Sequence, residues 1–139
     1  SLEYLISSDS ITFDNHFGDS FRLFIILDSD SKDTLYKEYL PVNLSPDFSY
    51  YFIKEYYEIY DILLIQGAQC CFLFYPDKLT LSSKICPDLS DCAISDMQGT
   101  YISQLRIMDQ GEILELQISD CLEPFKYDIS SEINIIEIK

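Results

Sequence analysis

One histidine and five cysteines set narrow limits on the chemistry this chain can do. His16 is the only imidazole, so a Ser–His–Asp or Cys–His nucleophile site has to use it. It lies in Asp14-Asn15-His16-Phe17-Gly18-Asp19, which reads as a connecting loop without a nucleophile motif. The cysteines are Cys70, Cys71, Cys86, Cys92 and Cys121. Cys86 and Cys92 have five residues between them and no second ligand pair nearby, a poor zinc spacing. The count is odd, and Cys70-Cys71 sit inside an apolar stretch whose alternation sends them to opposite faces. Five reduced, mostly buried thiols are therefore expected, none of them catalytic, in a cytoplasmic protein.

Carboxylates are abundant and undirected. The chain carries 24 acids against 9 bases, so no one pair stands out as a glycosidase pair. Asp28-Ser29-Asp30-Ser31-Lys32-Asp33 opens like a calcium loop, but Lys32 stands fifth, Asp33 replaces the sixth-place glycine and Tyr39 replaces the twelfth-place glutamate. A polar turn is the better reading. Glycines at 18, 67, 99 and 111 cannot form a phosphate-cradling loop. No catalytic residue, metal or cofactor is assigned, and the chain is not expected to be an enzyme.

The elements that carry these residues are mostly strands. Nineteen isoleucines and 11 tyrosines accompany only two alanines, a balance that favours pleated surfaces over helices. Tyr101–Met108 and Glu112–Ser119 flank Asp109-Gln110-Gly111, which predicts a hairpin with Gly111 left-handed in a three-residue loop. Tyr101, Leu105 and Ile107 share one face, as do Leu114, Leu116 and Ile118. Gln104, Arg106, Glu115 and Gln117 take the wet faces. Phe21–Leu27 reads as a central strand, Ile133–Ile138 as a closing strand, and Leu2–Ile6 with Ile11–Phe13 as an N-terminal pair. Ile62–Ile65 and Cys70–Tyr75 are strand-sized apolar runs; none approaches the ~20 residues of a membrane-spanning helix. Ser45-Pro46-Asp47 offers a helix start, and Phe48, Tyr51, Phe52, Ile59 and Tyr60 fall near helical spacing. The predicted fold is mainly β (α+β): an antiparallel sandwich or partly closed barrel, one domain over residues 1–139, with one helix near residues 46–59.

The net charge is −15 and the sequence pI about 4.1. This sign excludes a basic nucleic-acid reader. Residues 1–70 carry 12 acids and 4 bases, and residues 71–139 carry 12 and 5, so the charge belongs to the folded surface rather than a tail. Ser1-Leu2-Glu3 lacks the basic start of a signal peptide. In size, acidity, Ile-rich composition, cysteine usage and lack of a catalytic motif, the whole chain resembles bacterial toxin-immunity proteins of contact-dependent growth inhibition systems. The resemblance implies tight 1:1 binding to one basic toxin, commonly a nuclease.

The charge and the tyrosines suggest where such a partner would bind. Glu55, Glu58 and Asp61 beside Tyr50 and Tyr57, and the Asp28, Asp30 and Asp33 turn, offer carboxylates next to rigid aromatic area. The expected function is inhibition of a basic toxin, an RNase before a DNase, by covering its active site, with no direct nucleic-acid or membrane partner. Two other readings stand beside it. One is a β-barrel carrier with Gln104, Arg106, Glu115 and Gln117 lining a cavity. The other is a nucleic-acid mimic that blocks DNA-binding proteins.

Overall fold

The computed structural model describes residues 1–7, 11–12, 20–42, 51–92, 100–131 and 134–139. They form β-strands in three antiparallel sheets, with a short 3₁₀ turn at Leu89–Asp91. The mainly β expectation is borne out. Each sheet is open, and none closes into a barrel. The chain divides into two compact units, Ser1–Ile53 and Lys54–Lys139.

The first unit is built on one long strand. β1 (Leu2–Ile6) and β2 (Ile11–Thr12) both pair with β3 (Ser20–Asp28), and β4 (Thr34–Val42) pairs with it too. β1 lies against Phe24–Asp28 and β2 against Ser20–Phe21. The expected N-terminal pair is therefore corrected: its strands exist, but each bonds β3 rather than the other. The reason lies in Phe21–Leu27, whose run of apolar residues buries Phe24 and Ile26 completely.

The second unit carries two four-stranded sheets. β5 (Tyr51–Tyr57), within which the unit boundary falls, β6 (Ile62–Gly67), β7 (Cys71–Tyr75) and β8 (Thr80–Leu81) pair in that order. β9 (Ile102–Met108), β10 (Ile113–Ile118), β11 (Phe125–Asp128) and β12 (Ile136–Ile138) form a meander of successive neighbours. One core joins the two sheets: Ile62, Leu64, Cys71, Leu73 and Tyr75 from the first, with Ile102, Leu105, Ile107, Leu114, Leu116, Ile118 and Tyr127 from the second. Each such Leu or Ile contributes about 1.5–3 kcal/mol by leaving water. Leu63, Ile65, Phe72 and Phe74 alternate with the core set on β6 and β7 and are also buried, so these strands have no wet face.

Four further expectations need correction. Tyr51–Tyr57 is a strand, not part of a helix over 46–59; residues 43–50 lie outside the described set. Tyrosine, isoleucine and phenylalanine lose less side-chain freedom in a strand than in a helix, and pairing to buried β6 settles the matter. Tyr101 is half exposed and Ile102 is buried. A register shift sets Gln117 opposite Gln104 but Ile118 opposite Ile102, which leaves Ser103 as the extra residue and reverses the facing before it. The hairpin loop has four residues, Asp109 to Glu112, because Met108 faces Ile113; Gly111 is left-handed as predicted (φ 86°), and so are Asp109 and Gln110.

The last correction concerns the thiols. Cys70 is bonded to Cys86 and Cys92 to Cys121; only Cys71 is free, and it is buried. Cys71 and Ile85 exchange two backbone hydrogen bonds, so Cys70 and Cys86 form the next, non-bonded pair of that antiparallel bridge. Their Cα atoms are 4.5 Å apart, the spacing of such a pair and within disulfide range. The separation of Cys70 and Cys71 onto opposite faces is thus real, and it gives the two thiols different fates.

Candidate partner-binding surface

The predicted contact residues fall into both units. Asp28, Asp30 and Asp33 belong to the β3–β4 turn of the first; Glu55, Tyr57, Glu58 and Asp61 belong to β5 and the turn after it, in the second. Tyr50 lies outside the described residues. Glu55 is on strand β5, and Glu58 and Asp61 are in the turn that follows it.

Several of these side chains already have work inside the fold. The Asp28 carboxylate accepts the backbone N–H groups of Asp30 (2.9 Å) and Ser31 (3.0 Å). Those two donors hold its pKa below the ordinary carboxylate value. Asp61 accepts the Tyr56 hydroxyl at 2.6 Å and the Asp77 N–H at 3.1 Å, tying the β5–β6 turn to the one after β7. The Tyr57 hydroxyl accepts the Ile107 N–H at 3.2 Å. Burial, and then the neighbouring Glu55 carboxylate, raise its pKa. Asp30, Asp33, Glu55 and Glu58 are exposed.

Of the predicted set, Asp61 lines a cleft of about 360 Å³ where the β5–β6, β7–β8 and β9–β10 turns of the second unit meet. Asp77, Lys78 and Glu112 stand around it, with Tyr60 and Ser130. Asp77 and Glu112 were missed because nothing in the sequence joins positions 61, 77 and 112; only the sheet turns do. The cleft is shaped by close packing: a Cβ on Gly111 would lie 2.9 Å from the Tyr60 ring. Three acids against one base suit a guanidinium or ammonium group.

The proposed carrier wall takes another form. Glu115 is buried at the centre of its sheet face, with Arg106 Nη2 at 2.8 Å and Lys126 Nζ at 4.0 Å, a ladder across β9, β10 and β11. The carboxylate that Arg106 meets is this chain's own. Among the described residues no group of three or more His, Cys, Asp or Glu side chains is arranged to hold a metal ion. No described helix is long and apolar enough to cross a membrane.

Comparison with protein-family models, with curated proteins and with solved structures gave no match.

Proposed function

We propose that this chain is a binding protein of the toxin-immunity kind, which neutralises a basic partner by occupying the surface that the partner uses on its own polyanionic substrate. The observation that carries this reading is the excess of acids over bases in the sequence of both units. The first unit has nine acids and three bases, and the second has fifteen and six. Among the described residues, ion pairs join Glu3 to Lys32 and Glu115 to Arg106 and Lys126. A surface so charged repels itself, and its gain is fast, selective capture of a cation-rich partner. A nuclease domain fits, an RNase foremost, because its phosphate-binding groove is basic for its own reasons. Inhibition needs no chemistry from this chain: exposed carboxylates take the places of phosphates, and the Asp61–Asp77–Glu112 cleft accepts one Arg or Lys.

The cytoplasmic location expected from five reduced thiols loses its basis with two disulfides. Such bonds persist where the surroundings are oxidising, which supports an inhibitor that meets its partner outside the reducing cytoplasm. The test is co-expression with the basic toxin domain encoded beside it, in the cytoplasm and in an oxidising compartment, followed by titration of the purified pair. Protection from that toxin and 1:1 inhibition that weakens steeply with salt support the proposal. A toxin domain that stays fully active with excess inhibitor at low salt overturns it. A nucleic-acid mimic would inhibit unrelated DNA-binding proteins equally well, and the same titration against one of them separates the two.

A further inference from the structure

A second recess of the 54–139 unit, about 670 Å³, runs beside β12 and is lined by Leu122, Pro124, Phe125 and Ile138, with Asp88, Asp120, Glu123 and Glu137 among its polar residues. Two features make it unlike ordinary surface. Leu122 is 98% exposed, and Ile136 and Ile138 on β12 are about half exposed, so apolar side chains gather where solvent reaches them. The loop that holds Leu122 out is also pinned. Cys121 is bonded to Cys92, its carbonyl accepts Gln117 Nε2 at 2.7 Å, and its N–H donates to Ile118 at 3.2 Å. Cys121 is held just before Leu122 and β11 begins after it at Phe125, which leaves the loop little slack to fold its leucine back under cover. Among the described residues β12 is the last strand of its sheet, and one of its edges has no described partner strand.

We infer that this recess docks an extended segment of the basic partner, added alongside β12, with an aliphatic or aromatic side chain against Leu122, Phe125 and Ile138 and Lys or Arg on either side of it. Charge complementarity selects the occupant: four acids line the recess against the single base Lys139. An acidic or uncharged apolar strand would leave those carboxylates unpaired or repelled. Strand addition supplies main-chain hydrogen bonds, the apolar anchor supplies burial, and the acids supply selectivity. The inference rests on the proposed binding of a basic protein and names where and how part of that protein sits.

The probe is a fluorescein-labelled peptide alternating Lys with Ile and Leu, compared with a Glu-for-Lys version, a Ser-for-Ile/Leu version and a version with alternate N-methylated amides. The protein is the full, oxidised chain. The first peptide alone should bind strongly; the other three should bind at least tenfold more weakly. Leu122→Ser and Glu123→Lys are exposed changes that leave the core intact, and each should weaken binding at least fivefold. In ¹⁵N spectra, the Ile136 and Ile138 amides should shift on binding. Equal binding of the Lys–Ser peptide, or indifference to both variants, overturns the docking site. Either result leaves the basic-partner proposal to its own titration with the intact toxin domain, so the two failures are distinguishable.

Discussion

Gly111 concentrates two constraints in one residue. Its φ of 86° suits a residue without a side chain, and the site of a Cβ is already filled by the Tyr60 ring. Gly111→Ala should therefore lose about 1 kcal/mol for the left-handed backbone and about as much again for displacing Tyr60. In a Tyr60→Ala background the second part should vanish, leaving about 1 kcal/mol; urea midpoints of the four proteins measure it. Equal penalties in both backgrounds would show that the ring gives way freely. Cys71 makes a different case. Burial pushes its thiol up to about 12 from an ordinary 9.0. The folded thiol keeps its proton where the unfolded one has lost it, so this contribution is whole below pH 9 and drains away as pH rises towards 12. Unfolding free energy should fall over that window, and Cys71→Ala should flatten the fall. Native protein at pH 8 should react with a thiol reagent only on unfolding; prompt labelling would refute the buried assignment.

At the scale of elements, the readable strands were those that carry their own pattern. Leu114, Leu116 and Ile118 against Glu115 and Gln117 define β10 without help, and the unbroken apolar run of Phe21–Leu27 marks a central strand. Pairing was less legible. Whether β1 bonds β2 or β3 depends on residues twenty positions away, and one bulged residue, Ser103, reversed the facing of Tyr101. β5 misled because Tyr51, Phe52, Ile59 and Tyr60 fit a helical period over a window in which the strand ends at Tyr57 and a turn begins. At the candidate site the signal was composition without direction: sequence does not show that Asp28 and Asp61 spend their carboxylates on the fold's own donors. The cysteines were misread because their bridges close loops of 16 and 29 residues, distances over which sequence shows no geometry. Removing them one at a time should cost about 3 kcal/mol for Cys70→Ser/Cys86→Ser and about 3.5 kcal/mol for Cys92→Ser/Cys121→Ser, by loop-closure entropy. The check is an intact mass two hydrogens lighter per bridge than the reduced chain, with chemical denaturation of each double variant. A fully reduced mass in protein taken from its native compartment would restore the cytoplasmic expectation.

For the whole molecule, the decisive quantity is how its charge is divided. The two units bear −6 and −9, so either is acidic enough to attract a cationic partner. Steering acts through the summed field, whereas the final contact belongs to particular side chains. Reversing charges that have no structural duty separates the two. Asp30 and Asp33 in the first unit and Glu58 and Glu112 in the second are exposed, and none of their carboxylates accepts a hydrogen bond within the described fold. Asp30→Lys/Asp33→Lys and Glu58→Lys/Glu112→Lys each raise the net charge by about four units, and each should leave stability within about 0.5 kcal/mol. Near 20 mM salt, where fields reach about 20 Å, both pairs should slow association with the toxin domain. The pair nearer the interface should slow it about tenfold or more. At about 1 M salt the field is cut to about 3 Å, and both should return towards the unmodified rate. A residual loss then belongs to dissociation, and the pair that keeps it marks the unit that touches the partner. The Glu58/Glu112 pair should keep it, because Glu112 lines the acidic cleft and Glu58 belongs to the turn that supplies Asp61 to it. If neither pair changes the rate at low salt, recruitment by charge is wrong, and the −15 serves solubility alone.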